Sequence, residues 1–166
     1  LGVGGMTGGI IILAGGLGTR LRSVVSDLPK CMAPVNGKPF LAYVIDYFQQ
    51  QGIIKFIFSV GYPPAALAAS LPDQYSTINK QYSFEEYPLG TGGAIKKACS
   101  LIKEESVLIT NGDTLFKANI SSLNNFHTLK NADCTLALKP MKNFDRYGVV
   151  DLNKDGSIQS FNEKRY

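Results

Sequence analysis

The sequence predicts an α/β protein with a mainly parallel sheet covered by helices on both faces. Three observations carry that expectation. Strand-like apolar runs alternate with runs whose apolar residues recur at helical spacing over most of the 166 residues. The segments between strand-like runs are long enough for helical crossovers, which is how parallel neighbours are joined. The first run, IIIL at 10–13, has the length and β-branched content of a buried strand.

The elements follow in order. The strand at 10–13 breaks into a glycine-rich turn, and the segment SDLPKCMAPVNGKP at 26–39 is expected to be an irregular, proline-punctuated loop. Leu41, Val44, Ile45 and Phe48 stand at helical spacing, and Gly52 closes that helix before a strand over 53–60. A short helix at 65–71 follows the Pro63-Pro64 break, and a strand covers 77–82. Ile95, Ala98, Cys99 and Ile102 mark an amphipathic helix, followed by a strand at 107–110. Ser121 or Ser122 caps a helix running to about Lys130, and a strand at 134–138 comes next. Residues 148–152 and 157–161 form a hairpin around the Asp155-Gly156 turn signal. No repeat, low-complexity segment or linker divides residues 10–166, which are read as one domain. Residues 1–9, LGVGGMTGG, are expected to be a cloning scar or a disordered N-terminus outside it.

Composition excludes several classes. With 45% hydrophobic and 18% charged residues the chain is ordinary globular material. It has no stretch approaching the roughly 20 apolar residues of a membrane span, so no membrane partner is expected. The net charge of +4 comes from scattered lysines and arginines, not a stripe. That argues against a nucleic-acid partner and suits a small anionic ligand. Cys31, Cys99 and Cys134 lie far apart with no metal-ligand spacing, as reduced thiols of a cytoplasmic protein would. In that compartment the sequon Asn119-Ile120-Ser121 carries no meaning, and the single histidine, His127, reads as structural or solvated.

Chemistry is concentrated in loops after strands, the edge where open parallel sheets bind ligands. In LAGGLGTRL at 13–21, Gly15, Gly16 and Gly18 let backbone N–H groups approach phosphate oxygens, and Arg20 adds a planar cationic fork suited to bidentate phosphate contact. The turn is neither a dinucleotide fingerprint, which needs glycine at Leu21, nor a P-loop, which needs Lys-Ser or Lys-Thr where Thr19-Arg20 stands. Asp113, in Asn111-Gly112-Asp113, is placed either to hold a hard cation beside substrate phosphates or to cap the turn. Lys30 on its stiff loop suits a phosphate as a point charge, and Lys38 is a weaker candidate for the same task. In EEYPLGTGGA at 85–94, Glu85 or Glu86 is placed to accept hydrogen bonds from a nucleobase, or the loop simply opens a helix capped by Thr91. Arg146-Tyr147-Gly148 and Phe161-Asn162-Glu163-Lys164 complete the set.

These elements, in this order, resemble the sugar-1-phosphate nucleotidyltransferases: LAGGLGTRL, LPK with APVNGKP, PLGTGGA, NGD, YGVV and FNEK, spread over 10–166. Within that family LRSVVSDLPK and PLGTGGAIKKA are most similar to the heptose 1-phosphate guanylyltransferases, with the mannose 1-phosphate enzymes next. The resemblance implies a three-layer α/β/α, Rossmann-like nucleotide-diphospho-sugar transferase fold with a mainly parallel mixed sheet. It implies that Leu13, Ala14, Gly15, Gly16, Gly18 and Thr19 hold the nucleotide, and that Arg20 and Lys30 stabilise charge during transfer. Glu86, Gly90 and Thr91 would lie at the base, Asp113 would hold Mg2+, and Asn111, Tyr147, Gly148, Glu163 and Lys164 would bind the sugar phosphate. The partners so implied are a nucleoside triphosphate, GTP by resemblance, and a sugar 1-phosphate.

The chain departs from the family in two places. Cys31 stands where the family usually has the second proline of Pro-Lys-Pro. Family members also run on past the Glu-Lys element to a second metal-binding aspartate, so the expectation is a domain incomplete at its C-terminus. A cut sheet edge favours association of copies, which leaves a homo-oligomer open. The rival reading is a nucleotide-sugar-binding module without turnover.

Overall fold

The computed structural model describes residues 9–15, 29–61, 64–142 and 148–162. They belong to two compact units, Leu1–Asp133 and Cys134–Tyr166. The first unit runs β1 (Ile10–Leu13), β2 (Pro34–Val35), β3 (Lys38–Pro39), α1 (Phe40–Gln50), β4 (Lys55–Val60), α2 (Pro64–Ser70), β5 (Asn79–Phe84), α3 (Gly90–Cys99), β6 (Leu108–Asn111) and α4 (Ile120–Lys130).

β1, β4, β5 and β6 form a four-stranded sheet in the order β5-β4-β1-β6, parallel in every ladder. Ile10 pairs with Phe56 and Leu108, and Leu13 with Ser59 and Asn111. Successive side chains of a strand face opposite sides, and both sides of this sheet are covered. Ile10, Ile12, Phe56, Phe58 and Val60 pack with Leu41, Val44, Ile45 and Phe48 of α1, Leu67 of α2 and Ile120 of α4. Ile11 and Ile57 pack with Ala98 of α3 and with Leu101 and Ile102 just after it. The result is the α/β/α layering expected from the sequence. Ile10, Ile11 and Ile12 are wholly buried, and each side chain so buried contributes about 1.5–3 kcal/mol. That burial fixes β1 at the centre of the sheet.

The topology then decides where a ligand binds. From β1 the chain adds β4 and β5 on one side and returns to place β6 on the other. The strand order therefore reverses at β1, and the crevice beyond the carboxyl ends of β1 and β6 is the switch point of an open α/β sheet.

Several boundaries and caps differ from expectation. The strands expected at 53–60, 77–82 and 107–110 are Lys55–Val60, Asn79–Phe84 and Leu108–Asn111. The helix marked by Ile95 to Ile102 starts earlier, at Gly90, and stops at Cys99. α4 is capped by neither Ser121 nor Ser122: the Asn119 side chain accepts from Ser122 N–H at 2.8 Å. The sequon asparagine is thus an N-cap, one of the best residues for it.

The proline-punctuated segment is not wholly irregular. A 3-10 turn covers Lys30–Met32, and β2 pairs antiparallel with β3. The connection is Asn36-Gly37, both at positive φ (49° and 75°), the two-residue turn whose twist matches a hairpin. The second correction is at 134–138, where no strand forms: residues 134–140 carry no regular element. A strand exists only through a ladder with a neighbour, and an apolar run does not supply one. In this second unit β7 (Val149–Leu152) and β8 (Ile158–Asn162) form the expected hairpin. Among the described residues no helix is long and apolar enough to cross a membrane.

Candidate active site

A cleft of about 490 Å³ opens at the switch point, a size suited to one nucleotide-sized ligand. Its walls hold ten of the candidate site residues singled out from sequence, namely Leu13, Ala14, Gly15, Lys30, Glu85, Glu86, Gly90, Thr91, Asn111 and Asp113. Gly148 precedes β7 in the second unit. Gly16, Gly18, Thr19, Arg20, Tyr147, Glu163 and Lys164 lie outside the described residues.

Backbone contacts hold the floor of the cleft. Ala14 N–H donates to Ser59 C=O at 2.8 Å, and Gly112 N–H donates to Leu13 C=O at 2.9 Å. A Cβ on Gly112 would stand 3.2 Å from Leu13 O and from Ile12 Cγ2, and 3.3 Å from Cys31 Cβ. Glycine is what lets the turn lie this close to β1. The same turn carries Asp113 to the mouth of the cleft.

Lys30 arrives from the other side. Its 3-10 turn is anchored by the buried Cys31 and Met32, 3% and 2% exposed, while Lys30 itself is exposed. The Nζ donates to Asp113 Oδ2 at 2.6 Å. Two residues 83 apart in sequence thus meet as an ion pair open to solvent. Asp113 Oδ1 also accepts from Thr114 Oγ at 3.3 Å. An incoming phosphate competes with Asp113 for Lys30, and a cation competes with Lys30 for Asp113, so an anion and a cation arriving together satisfy both.

The third wall is the loop between β5 and α3. Glu85 is 9% exposed, and its two oxygens are each engaged: Oε1 accepts from Ser59 Oγ at 3.1 Å and Oε2 from Leu89 N–H at 3.1 Å. Glu86, the neighbouring carboxylate, is exposed on the cleft wall. α3 opens without Thr91 as its cap: the N-cap residue is Leu89, and no side chain caps the helix. Gly90, Thr91 and Ala94 bring that helix start to the cleft, where first-turn N–H groups favour a negative or hydrogen-bond-accepting group. Sequence reasoning missed Ser59, although a lone polar residue near the end of the apolar strand KFIFSV is a visible signal.

Lys38 is engaged elsewhere. It pairs with Asp46, whose other oxygen accepts from Tyr75 OH at 2.6 Å, and its Nζ lies 4.9 Å from the Tyr43 ring centroid. Asp46, with Tyr75 behind it, holds the ammonium above its ordinary value of 10.5. A raised folded-state value means this stabilisation is complete below about pH 10.5 and disappears as pH climbs through the folded value. Lys38→Met is expected to lower Tm by about 2–4 °C, as losing roughly 1 kcal/mol does in a chain of this size. Substrate kinetics should stay unchanged, and a large rise in the KM for nucleotide would return Lys38 to the phosphate site.

The Nucleotidyl transferase family model matches residues 10–164. The chain belongs to the nucleotidyl transferase family. It is 51% identical over 156 residues to the D-glycero-alpha-D-manno-heptose 1-phosphate guanylyltransferase of Aneurinibacillus thermoaerophilus, covering 94% of this chain and 67% of that protein. With the enzyme of the same name from Campylobacter jejuni it shares 44% identity over 154 residues, 93% of this chain and 67% of the relative. The crystal structure of HddC from Yersinia pseudotuberculosis complexed with GMP-PN superposes with a TM-score of 0.74 at 32% identity, over 95% of this chain and 69% of that one. The family resemblance read from the motifs is borne out, and the chain spans about two-thirds of the length of these relatives.

Proposed function

We propose that residues 10–166 belong to a nucleotidyltransferase domain that condenses GTP with D-glycero-alpha-D-manno-heptose 1-phosphate, releasing pyrophosphate. The observation that carries this reading is the meeting of Lys30 and Asp113 at 2.6 Å beside the Leu13–Gly15 turn. It puts an anion-binding and a cation-binding group at one point of a nucleotide-sized cleft. The relatives' names support the choice of base and sugar.

The reaction is an in-line displacement. A phosphate oxygen of the sugar 1-phosphate attacks the α-phosphorus of GTP, a new P–O bond forms, and the bond to the β-phosphate bridging oxygen breaks with release of pyrophosphate. The attacking phosphate is already a competent nucleophile, so the protein's task is to position two anions and neutralise their charge. Arg20 and Lys30 neutralise charge on the transferring group. Asp113, a partly exposed carboxylate at the mouth of the cleft, fits Mg2+, which takes one or two protein carboxylates and completes its shell with substrate phosphates and water. When bound, Mg2+ would supply further charge neutralisation. Leu13, Ala14, Gly15, Gly16, Gly18 and Thr19 cradle the nucleotide, with Gly90 and Thr91 near the base. Glu86 accepts from it, and a carboxylate suits guanine, whose edge presents adjacent N–H donors. Asn111, Tyr147, Gly148, Glu163 and Lys164 bind the sugar phosphate. We place this activity in the cytoplasm.

The test is a pyrophosphate-release screen of ATP, CTP, GTP and UTP against heptose, mannose and glucose 1-phosphates. GTP with the heptose 1-phosphate should lead in kcat/KM by about tenfold or more, as expected of a site that hydrogen-bonds its substrate. Preference for another base or for mannose would move the specificity. Tight binding of nucleotide sugar without pyrophosphate release would make the chain a binding module.

A further inference from the structure

Asp113 stands at the head of an irregular stretch. β6 ends at Asn111 and α4 begins at Ile120, so residues 112–119 present the carboxylate from outside any helix or strand. The near end is pinned to β1 by the Gly112 N–H, which donates to Leu13 C=O at 2.9 Å, and Leu115 packs against the larger core cluster. Among the described residues, the next main-chain groups bonded to another element are the Ala118 C=O and the Ile120 N–H. Both are held from α1. Tyr47 OH donates to Ala118 C=O at 2.8 Å, and Gln51 Oε1 accepts from Ile120 N–H at 2.9 Å. Tyr47 lies near the end of α1 and Gln51 is its C-cap, so the two stand about one turn apart.

α1 is a firm post for these bonds. Leu41, Val44 and Ile45 are wholly buried, and the Tyr47 ring meets Phe48 edge-on at 5.3 Å. Gln51 carries a second signal. Its Nε2 is buried without a hydrogen-bond partner, and an unsatisfied buried donor costs stability. Burial alone would favour an apolar side chain of the same length there, so the case for an amide at this position rests on its oxygen.

We infer that Tyr47 and Gln51 are positioning residues for Asp113: by fixing Ala118 and Ile120 to α1 they hold the far end of the segment that presents its carboxylate beside Lys30. This rests on the metal role given to Asp113 above. With Gly112 fixed as well, both ends of the segment are tied, and fewer conformations remain open to the residues between them. Asp113 meets Lys30 at 2.6 Å within that restricted set. Neither Tyr47 nor Gln51 is among the residues lining the cleft, so their effect on a ligand passes through the segment.

The test uses the whole chain as wild type, Tyr47→Phe, Gln51→Met and the double variant, with Asp113→Ala as the reference for an unpaired Lys30. Gln51→Met should quicken amide exchange at Ile120. Acetylation of Lys30 by acetic anhydride, followed by mass spectrometry, reads the Asp113 position without metal or nucleotide. Asp113→Ala should speed it by about twofold, the scale of an exposed ion pair, and the double variant should move most of the way to that rate. Mn2+ binding, followed by electron paramagnetic resonance with a non-hydrolysable GTP analogue present, should weaken by about tenfold in the double variant. That is the lower end of the loss when a group behind a metal ligand is removed. Affinity for the metal-free analogue should stay at the wild-type value, and in steady state the KM for Mg2+ should rise while that for the sugar phosphate does not. Tyr47→Phe removes a single oxygen and carries the test if Gln51→Met does not fold.

Lys30 acetylation at the wild-type rate in the double variant overturns the inference, as does unchanged Ile120 exchange in Gln51→Met. So does a lower melting temperature with Mn2+ affinity unchanged, which would make both residues purely structural. Mn2+ binding that is no weaker in Asp113→Ala overturns the metal reading of Asp113 instead, and Lys30 acetylation still decides whether α1 positions that residue.

Discussion

Arg20→Ala should lower turnover by about 100-fold to 1000-fold, the scale of losing a group that stabilises charge only in the transition state. Gly15 is on the cleft wall, and the five further residues to Arg20 can span at most about 18 Å, so chain length permits Arg20 to reach the phosphates that Lys30 would hold. A guanidinium is permanently charged and presents a fork matched to phosphate oxygens, so lysine should restore only part of the loss. The loss should appear mainly in kcat, because charge on the transferring group rises as the bonds exchange. An Arg20→Ala protein with most of its activity would remove the central cation from the mechanism.

Asp113→Asn is expected to be nearly as severe, lowering turnover by about 100-fold. Asparagine matches aspartate in size and can still accept from Lys30, so the ion-pair geometry is disturbed little while the charge that attracts a cation is gone. Added Mg2+ should not restore the rate. Activity equal to wild type, with the same dependence on Mg2+, would show that Asp113 only caps its turn and holds Lys30.

Much of this fold was legible in sequence because its centre is chemically simple. The runs IIIL and KFIFSV are apolar almost throughout, as strands buried on both faces must be, and Gly52 and Asp155-Gly156 mark a helix end and a hairpin turn by local chemistry alone. The errors fell where a long-range partner decides. Residues 134–138 read as a strand by composition but carry no ladder. The 34–39 segment looked irregular, yet two short strands pair across Asn36-Gly37.

The site divides in the same way. Lys30 and Asp113 were each ambiguous alone, a loop lysine and a turn aspartate, and only the packing of the NGD turn against β1 brings them together. Glu85 and Glu86 could not be told apart in sequence. Their difference comes from β5 pairing with β4, which places Glu85 beside Ser59. Both line the cleft, Glu85 buried and Glu86 exposed.

The most direct measurement is the fate of label from GTP carrying a radioactive α-phosphate, incubated with the heptose 1-phosphate and Mg2+. The expected result is label in a guanosine diphosphate sugar, formed in step with unlabelled pyrophosphate, and no label on the protein. Label bound covalently to the protein, released as free GMP or GDP, or left in GTP with every sugar 1-phosphate tested would contradict direct nucleotidyl transfer in this cleft.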